Sequence, residues 1–386
     1  MKIKNFLNKS GIMFLSALTL FSCTGRSQQN ESLKFYVGSS GNQDYSIFLC
    51  ELETELQKFT VLDSFSGAAG ASYLAPAPDF SIIYAINQKI SDPELRHSTV
   101  SSFEVDPETF GLSVIGSQSS EGGGICHIHS SQHGKHIFAA NYGSGHATAL
   151  PVDDMGKIQA ASSVVIGEGT GPVENRQGGP HAHQVMLDPS QGFLLVPDLG
   201  TDKVMIYAFD PSSGLLSPNP VQPFFSLAPG SGPRHLDFHP EGNFLYVVNE
   251  LNATITACRW NSSTGKLDEI NTESTVESGH EGMKYPAAVR VHPNGKFVYA
   301  STRGENSCIS AFSIAGDGSI ARIQVMEQVP FWPRDFNIDP SGSYLISAGE
   351  RSNDIRLYTI DELSGMLTGT HATLELPAPA NILFIQ

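Results

Sequence analysis

Four segments of this chain share one pattern: "HQVMLDPSQGFLLVPDLG" from His183, "HLDFHPEGNFLYVVNEL" from His235, "AVRVHPNGKFVYASTRG" from Ala288 and "DFNIDPSGSYLISAGER" from Asp335. Their anchor prolines, Pro189, Pro240, Pro293 and Pro340, stand 51, 53 and 47 residues apart. Two looser copies precede them, "SYLAPAPDFSIIYAINQ" from Ser72 and "HIHSSQHGKHIFAANYG" from His127, which makes six. A period of this length means one supersecondary unit used repeatedly, and it constrains the fold more than any single residue does.

Each copy alternates apolar and polar residues, reaches a Pro/Gly turn and continues into a run rich in Phe, Tyr, Val and Ile. That is a β-hairpin. A third strand follows ("ATALPV", "KVMIYAF", "TITACRW", "CISAFSI", "DIRLYTI"), then a weaker fourth, and strong helical periodicity is absent throughout. Four strands per repeat describe a propeller blade. The N-terminal "LKFYVGSS…YSIFLCEL" reads as second and third strands without a first, and the C-terminal "ANILFIQ" as a lone strand. Joined, they supply a seventh blade and leave no open sheet edge. The expected fold is all-β: one seven-bladed β-propeller over residues 33–386, its last blade closed by pairing the C-terminal strand with the N-terminal strands.

The start, "MKIKNFLNKSGIMFLSALTLFSC", has basic residues, an apolar run from Gly11 to Phe21 and then Ser22-Cys23, the layout of a secretory signal too short to span a membrane. Its ending resembles a bacterial lipoprotein cleavage box. The expectation is a signal peptide over 1–22, lipidation at Cys23, a polar tether over 23–32, and an exported protein, periplasmic or outer-membrane, held to the membrane only by that lipid. The formal charge is −16. Such an acidic surface repels phosphate backbones, which argues against nucleic acid as a partner. Cys50, Cys126, Cys258 and Cys308 show no CxxC or close pairing, so free thiols are expected. A monomer is expected as well.

In a blade, the start of the first strand and the end of the second meet at one sheet edge. Six residues before the anchor proline the copies carry Ser72, Cys126, His183, Arg234, Ala287 and Arg334; ten after it they carry Gln88, Tyr142, Leu199, Glu250, Arg303 and Glu350. These positions should ring the mouth of the central channel, with Asp237 and Arg290 one step deeper. Arg234 with Glu250, and Arg334 with Glu350, can neutralise each other within a blade. A ring offering His183, Glu250 and several arginines could hold an anion and activate water. The plainer reading is that such pairs tie the channel together, and that His127, His235, His239 and His292 make turn or channel contacts. His181 and His183, two apart on one strand face, could start a metal site, but no third His or Cys follows at a telling distance, so no metal or other cofactor is expected. GxSxG, P-loop and CxxC motifs are missing, which removes the usual serine-hydrolase, nucleotide and zinc-ribbon readings.

At "GPHAHQVMLDP", "LVPDLGTDKVMIYAFD", "GPRHLDFHPEGNFLYVVNEL", "GKFVYASTRGENSCISAF" and "WPRDFNIDPSG" the chain resembles the propeller lactonases, which include bacterial 6-phosphogluconolactonases and fungal carboxy-cis,cis-muconate lactonising enzymes. The resemblance implies a seven-bladed propeller that needs no metal. It implies a channel site built from the His of "PHxH", the Arg of "PRH", the Glu of "NE" and a further Arg: His183, Arg234, Glu250, and Arg290 or Arg303. "GASYL" and "INQ" depart from the family, which commonly has Asn-Pro before that Ser and a Glu at the end. The expected activity is hydrolysis of a sugar-acid or similar small-molecule lactone. Glu250 or His183 would be the general base, Arg234 the oxyanion stabiliser, and Arg290, Arg303, Arg334, His181 and Glu350 the surrounding substrate contacts. The alternative is a lipid-anchored propeller that binds a carbohydrate or protein partner without chemistry.

Overall fold

The computed structural model describes residues 32–41, 44–88 and 98–385. The expected signal over 1–22, Cys23 and all but the last residue of the tether lie outside the described residues. Among the described residues there is no helix, and the strands form seven antiparallel sheets.

Six sheets follow in chain order and match the six repeats. Blade 1 runs from Leu74 to Ser119, blade 2 from Ile125 to Ile166 and blade 3 from Met186 to Pro218, with Phe224–Ser226 added to its third strand. Blade 4 runs from Pro233 to Ser274, blade 5 from Tyr285 to Met326 and blade 6 from Pro333 to Glu375. Blade 7 takes its innermost strand, Pro379–Phe384, from the end of the chain and pairs it with Ser32–Ser39, followed by Ile47–Glu53 and Lys58–Phe65. The ring closes as the sequence pattern requires.

Each blade buries both faces of its middle strands against its neighbours, so the core lies between blades. Tyr246, Val248 and Ile255 of blade 4 pack on Val298, Ala300 and Phe312 of blade 5. At the seam Phe35, Val37 and Cys50 pack on Ile346 and Leu357 of blade 6.

The repeated turns have a structural task. His239 reaches the next blade, where its Nε2 lies 2.9 Å from Gly295 O, and its Nδ1 accepts the Glu241 N–H. His292 does the same one blade on, 2.8 Å from Gly342 O. The N–H accepted at Nδ1 places the ring proton on Nε2 in both. Gly295 has φ of +71°, and a Cβ there would stand 2.6 Å from the His239 ring. Glycine is required both by the left-handed turn and by the imidazole resting on it. The "HP" of one repeat thus clasps the "NG" or "SG" of the next, as the turn-contact reading of these histidines supposed.

Candidate active site

The inner strands of blades 2, 4, 5 and 6 each carry an irregularity near their start. Pairing in blade 4 skips Arg234 between Pro233 and His235, in blade 6 Arg334 between Pro333 and Asp335, and in blade 2 Cys126 between Ile125 and His127; in blade 5 the break includes Ala287. These are the positions six residues before the anchor proline. Bulges re-aim side chains and leave the ladder's alternation, which lets these residues turn toward the channel mouth rather than into the blade interface.

Glu250 is the hub. It follows the second strand of blade 4 and is 4% exposed. Its Oε2 lies 2.7 Å from Nη2 of Arg303 on blade 5 and 3.0 Å from Nε of Arg234 on its own blade; its Oε1 lies 2.5 Å from Nη2 of Arg176. The Arg234 contact is an ion pair without hydrogen-bond alignment. Burial alone would raise the Glu250 pKa, but the fields of Arg303, Arg234 and Arg176 outweigh it and hold the group ionised down to about 2. Arg234 is 2% exposed and donates from Nη1 to Ala287 O. Burial and the nearby Arg303 push its guanidinium down to about 9, still protonated at neutral pH.

His183 is 7% exposed, and burial together with Arg234, Arg334 and Arg303 lowers its pKa well below the usual histidine value, so the imidazole is neutral at pH 7. Cys126 donates from Sγ to His183 O at 3.2 Å, with Nδ1 of the same histidine 3.8 Å away. The four cysteines among the described residues are free; Cys50, Cys258 and Cys308 are buried, whereas Cys126 is partly exposed at the mouth. Burial pushes the Cys126 thiol up to about 11, which leaves it protonated and a poor nucleophile. Arg334 lies 3.4 Å from Glu350, whose other oxygen accepts from Ser40 of blade 7 at 2.8 Å. His181 stacks on Tyr142 with ring centroids 4.5 Å apart and has its Nδ1 2.9 Å from Tyr142 O, while the same Tyr142 ring meets His183 edge-on at 5.3 Å. Among the described residues no three His, Cys, Asp or Glu side chains converge as a metal would need.

Below the mouth lies a layer of rings. His235 stands 5.3 Å from His183 and 5.4 Å from His127 by ring centroids, and Tyr73 lies 4.0 Å from His127. Deeper still, Arg290 binds Asp335 at 2.9 Å. The structure therefore places Arg290 one step below the mouth, as its offset implied, and does not bring it to the Glu250 cluster with which the resemblance grouped it. Arg290 and Asp237 instead line cavities of about 440 and 190 Å³ that share those two walls, the larger opening among the hairpin turns at Pro78, Pro293 and Pro340. Burial raises Asp237 to about 6 against the pull of Arg290.

The mouth thus gathers His183, Arg234, Glu250, Arg303, Arg334, Glu350 and His181 on one face of the ring. Arg176 and Trp332 are additions that the repeats did not reveal. Arg303 lies over the Trp332 ring at 5.6 Å, and Arg351 at 3.4 Å. Arg176 lies in the 167–181 connection, outside the blade frame, where an alignment on hairpins has nothing to align. The signal was length: blade connections are usually a few residues long, and a long excursion is commonly functional.

The arrangement can hold an anion, stabilise a developing oxyanion and offer a neutral imidazole to water. Over residues 34–384 the chain matches the family model described as "Lactonase, 7-bladed beta-propeller". It is 29% identical to a 6-phosphogluconolactonase of Bacillus subtilis over 354 residues, which is 91% of this chain and 98% of that one. It is 32% identical to a 6-phosphogluconolactonase of Serratia proteamaculans over 246 residues, 64% of this chain and 70% of the other. Among solved structures it is similar to a Bacteroides fragilis protein assigned as a 6-phosphogluconolactonase, with a TM-score of 0.85 and 30% identity, covering 93% of this chain and 99% of that one.

Proposed function

The chain belongs to the family of seven-bladed β-propeller lactonases, and on that premise we propose that it hydrolyses the lactone of a sugar acid or similar hydroxy acid at the Glu250 mouth of its channel. What supports the assignment of roles is the place of His183, buried at the mouth against the Tyr142 ring at 5.3 Å, where burial and the charges of Arg234, Arg334 and Arg303 keep its imidazole neutral. A water oxygen attacks the lactone carbonyl carbon while His183 takes the water proton. The oxyanion forms under Arg303 and Arg334, in a setting already polarised for negative charge. Collapse breaks the ring C–O bond, and the leaving alkoxide takes the proton back from His183. The product is the open hydroxy acid.

Of the two bases considered from sequence, the geometry favours His183. A carboxylate shared by three guanidiniums and ionised to about pH 2 is a weak proton acceptor. Glu250 acts instead by positioning Arg303 and Arg176 and by offsetting part of their charge. Arg234, nearly inaccessible and bound to Ala287 O, holds Glu250 in place rather than touching substrate.

The signal-like start and Cys23 support export with a lipid anchor as part of the same reading. An exported protein meets lactones outside the cytosol. The test is a pH-stat assay of the purified mature protein on gluconolactone, its 6-phosphate and uronic-acid lactones. Turnover above background supports the reading. A wild type that binds such a compound at the mouth and hydrolyses none would leave a binding propeller in its place.

A further inference from the structure

Arg176 reaches the mouth from a loop, and that loop is firmly seated. Gln177, fully buried, donates from Nε2 to Leu199 O at 2.9 Å and to Asp202 Oδ1 at 2.7 Å, and accepts the Val173 N–H at 3.0 Å. Asp202 also accepts the N–H of Gly230 and of Gly232, each at 2.7 Å, in the stretch that leads into the Arg234 strand. One buried amide and one buried carboxylate therefore fix the position of Arg176 relative to Arg234 and Glu250. No blade strand is needed to hold it.

The guanidinium is only partly used. Nη2 serves Glu250 and, at 3.4 Å, the Tyr142 hydroxyl; Nε and Nη1 make no hydrogen bond to protein among the described residues. The side chain is 29% exposed, against 2% for Arg234 and 8% for Arg303. Glu250 cannot cancel its charge. Arg176, Arg234 and Arg303 share that single carboxylate, so the cluster keeps two positive charges on a protein whose formal charge is −16. An open guanidinium edge with surplus charge, beside a phenol hydroxyl, suits two oxygens of a carboxylate or phosphate.

We propose that Arg176, seated by Gln177 and Asp202 and flanked by Tyr142, is an anion subsite that selects lactones carrying a carboxylate or phosphate. The identity of the ring beside that anion rests on the lactonase reading; the subsite itself does not. Arg176 is a specificity-determining residue here, and Gln177 a positioning residue.

The experiment compares wild type, Arg176→Met, Arg176→Lys and Gln177→Leu on neutral gluconolactone, its 6-phosphate and a lactone bearing a free carboxylate. Calorimetric titration with 6-phosphogluconate and with inorganic phosphate runs alongside. Arg176→Met is expected to raise the KM ratio of charged to neutral lactone about 10- to 100-fold, the effect of losing one charged hydrogen-bonded contact. Lys should recover part of this, because it keeps the charge but not the fork, and Gln177→Leu should move the ratio the same way. A larger shift for phosphate or for carboxylate names the anion, and either supports the subsite. An unchanged ratio overturns the proposal, as does a wild type that binds neither titrant. If wild type turns over no lactone yet binds 6-phosphogluconate through Arg176, the hydrolytic reading falls and the subsite stands.

Discussion

Arg234 and Glu250 stand 3.0 Å apart at the end of one hairpin, the arginine on a bulge of the first strand and the glutamate just past the second. Both are nearly inaccessible, so their charges depend on each other and on Arg303. Glu250→Gln leaves three guanidiniums facing a neutral amide and should cost about 3–5 kcal/mol of stability, the usual loss when a buried pair is broken on one side. Adding Arg234→Met to it should cost less than the two single losses together, with a coupling of about 1–3 kcal/mol. Urea unfolding of the four proteins in the cycle measures this. Additive losses would mean that the two side chains do not meet.

His183 sets the pH dependence. Its folded-state pKa lies below the usual histidine value, so lowering the pH through that value should leave the imidazole neutral and kcat/KM undiminished; the acid limb belongs at lower pH. Glu250 adds no limb near the ordinary glutamate value, because it stays ionised to about 2. His183→Gln should lower kcat by about 10²–10⁴, the usual contribution of a positioned base. A limb at the ordinary histidine value would show that the base is some other, unshielded group.

Arg290 should matter for stability more than for rate. Arg290→Leu removes the partner of Asp335 and the nearest cation to Asp237, two carboxyls that burial already raises. In the variant both fold with still higher pKa values. Stability should therefore fall as pH rises from the normal aspartate range toward neutrality, by about 3–5 kcal/mol relative to wild type at pH 7. Thermal unfolding at pH 5 and pH 8 checks this. Activity per folded molecule should hold, since Arg290 lies below the mouth; a large loss in kcat/KM would return it to the substrate contacts.

Cys23→Ala should move the protein from the membrane to the soluble fraction, because Cys23 carries the only anchor that the sequence suggests. Fractionation of expressing cells decides it. A variant still sedimenting with membranes would rule out lipidation at that residue.

How much of this the sequence carried depends on what kind of constraint held each residue. Blade number, hairpin register and closure by the termini were legible because strand pairing repeats with a fixed period, and one slipped residue would move every side chain to the opposite face of its blade, against the wrong neighbour. His183, Arg234, Glu250, Arg303 and Arg334 were legible for the same reason, as fixed offsets from the anchor prolines. The offset of Arg290 put it one step below the mouth; what an offset along a strand does not carry is which partner its long side chain finds there. That partner is Asp335, in the adjoining blade. Arg176 escaped because its position comes from Gln177 and Asp202, contacts between loops that no period encodes.

The seam at blade 7 gives the ring a join but no beginning. Pro379–Phe384 lies against Ser32–Ser39, and the Ile385 N–H reaches Lys34 O at 3.0 Å, so the two ends of the described chain run side by side. A short linker between them would make the backbone a circle, and the circle could then be cut at an outer turn of another blade. Exposed turns are where such permutation succeeds. His183, Arg234, Glu250, Arg303 and Arg334 sit at fixed offsets within blades 3 to 6 and Arg176 on the connection between blades 2 and 3, and none of these positions crosses the seam. The mouth is thus indifferent to which blade is stitched from two ends.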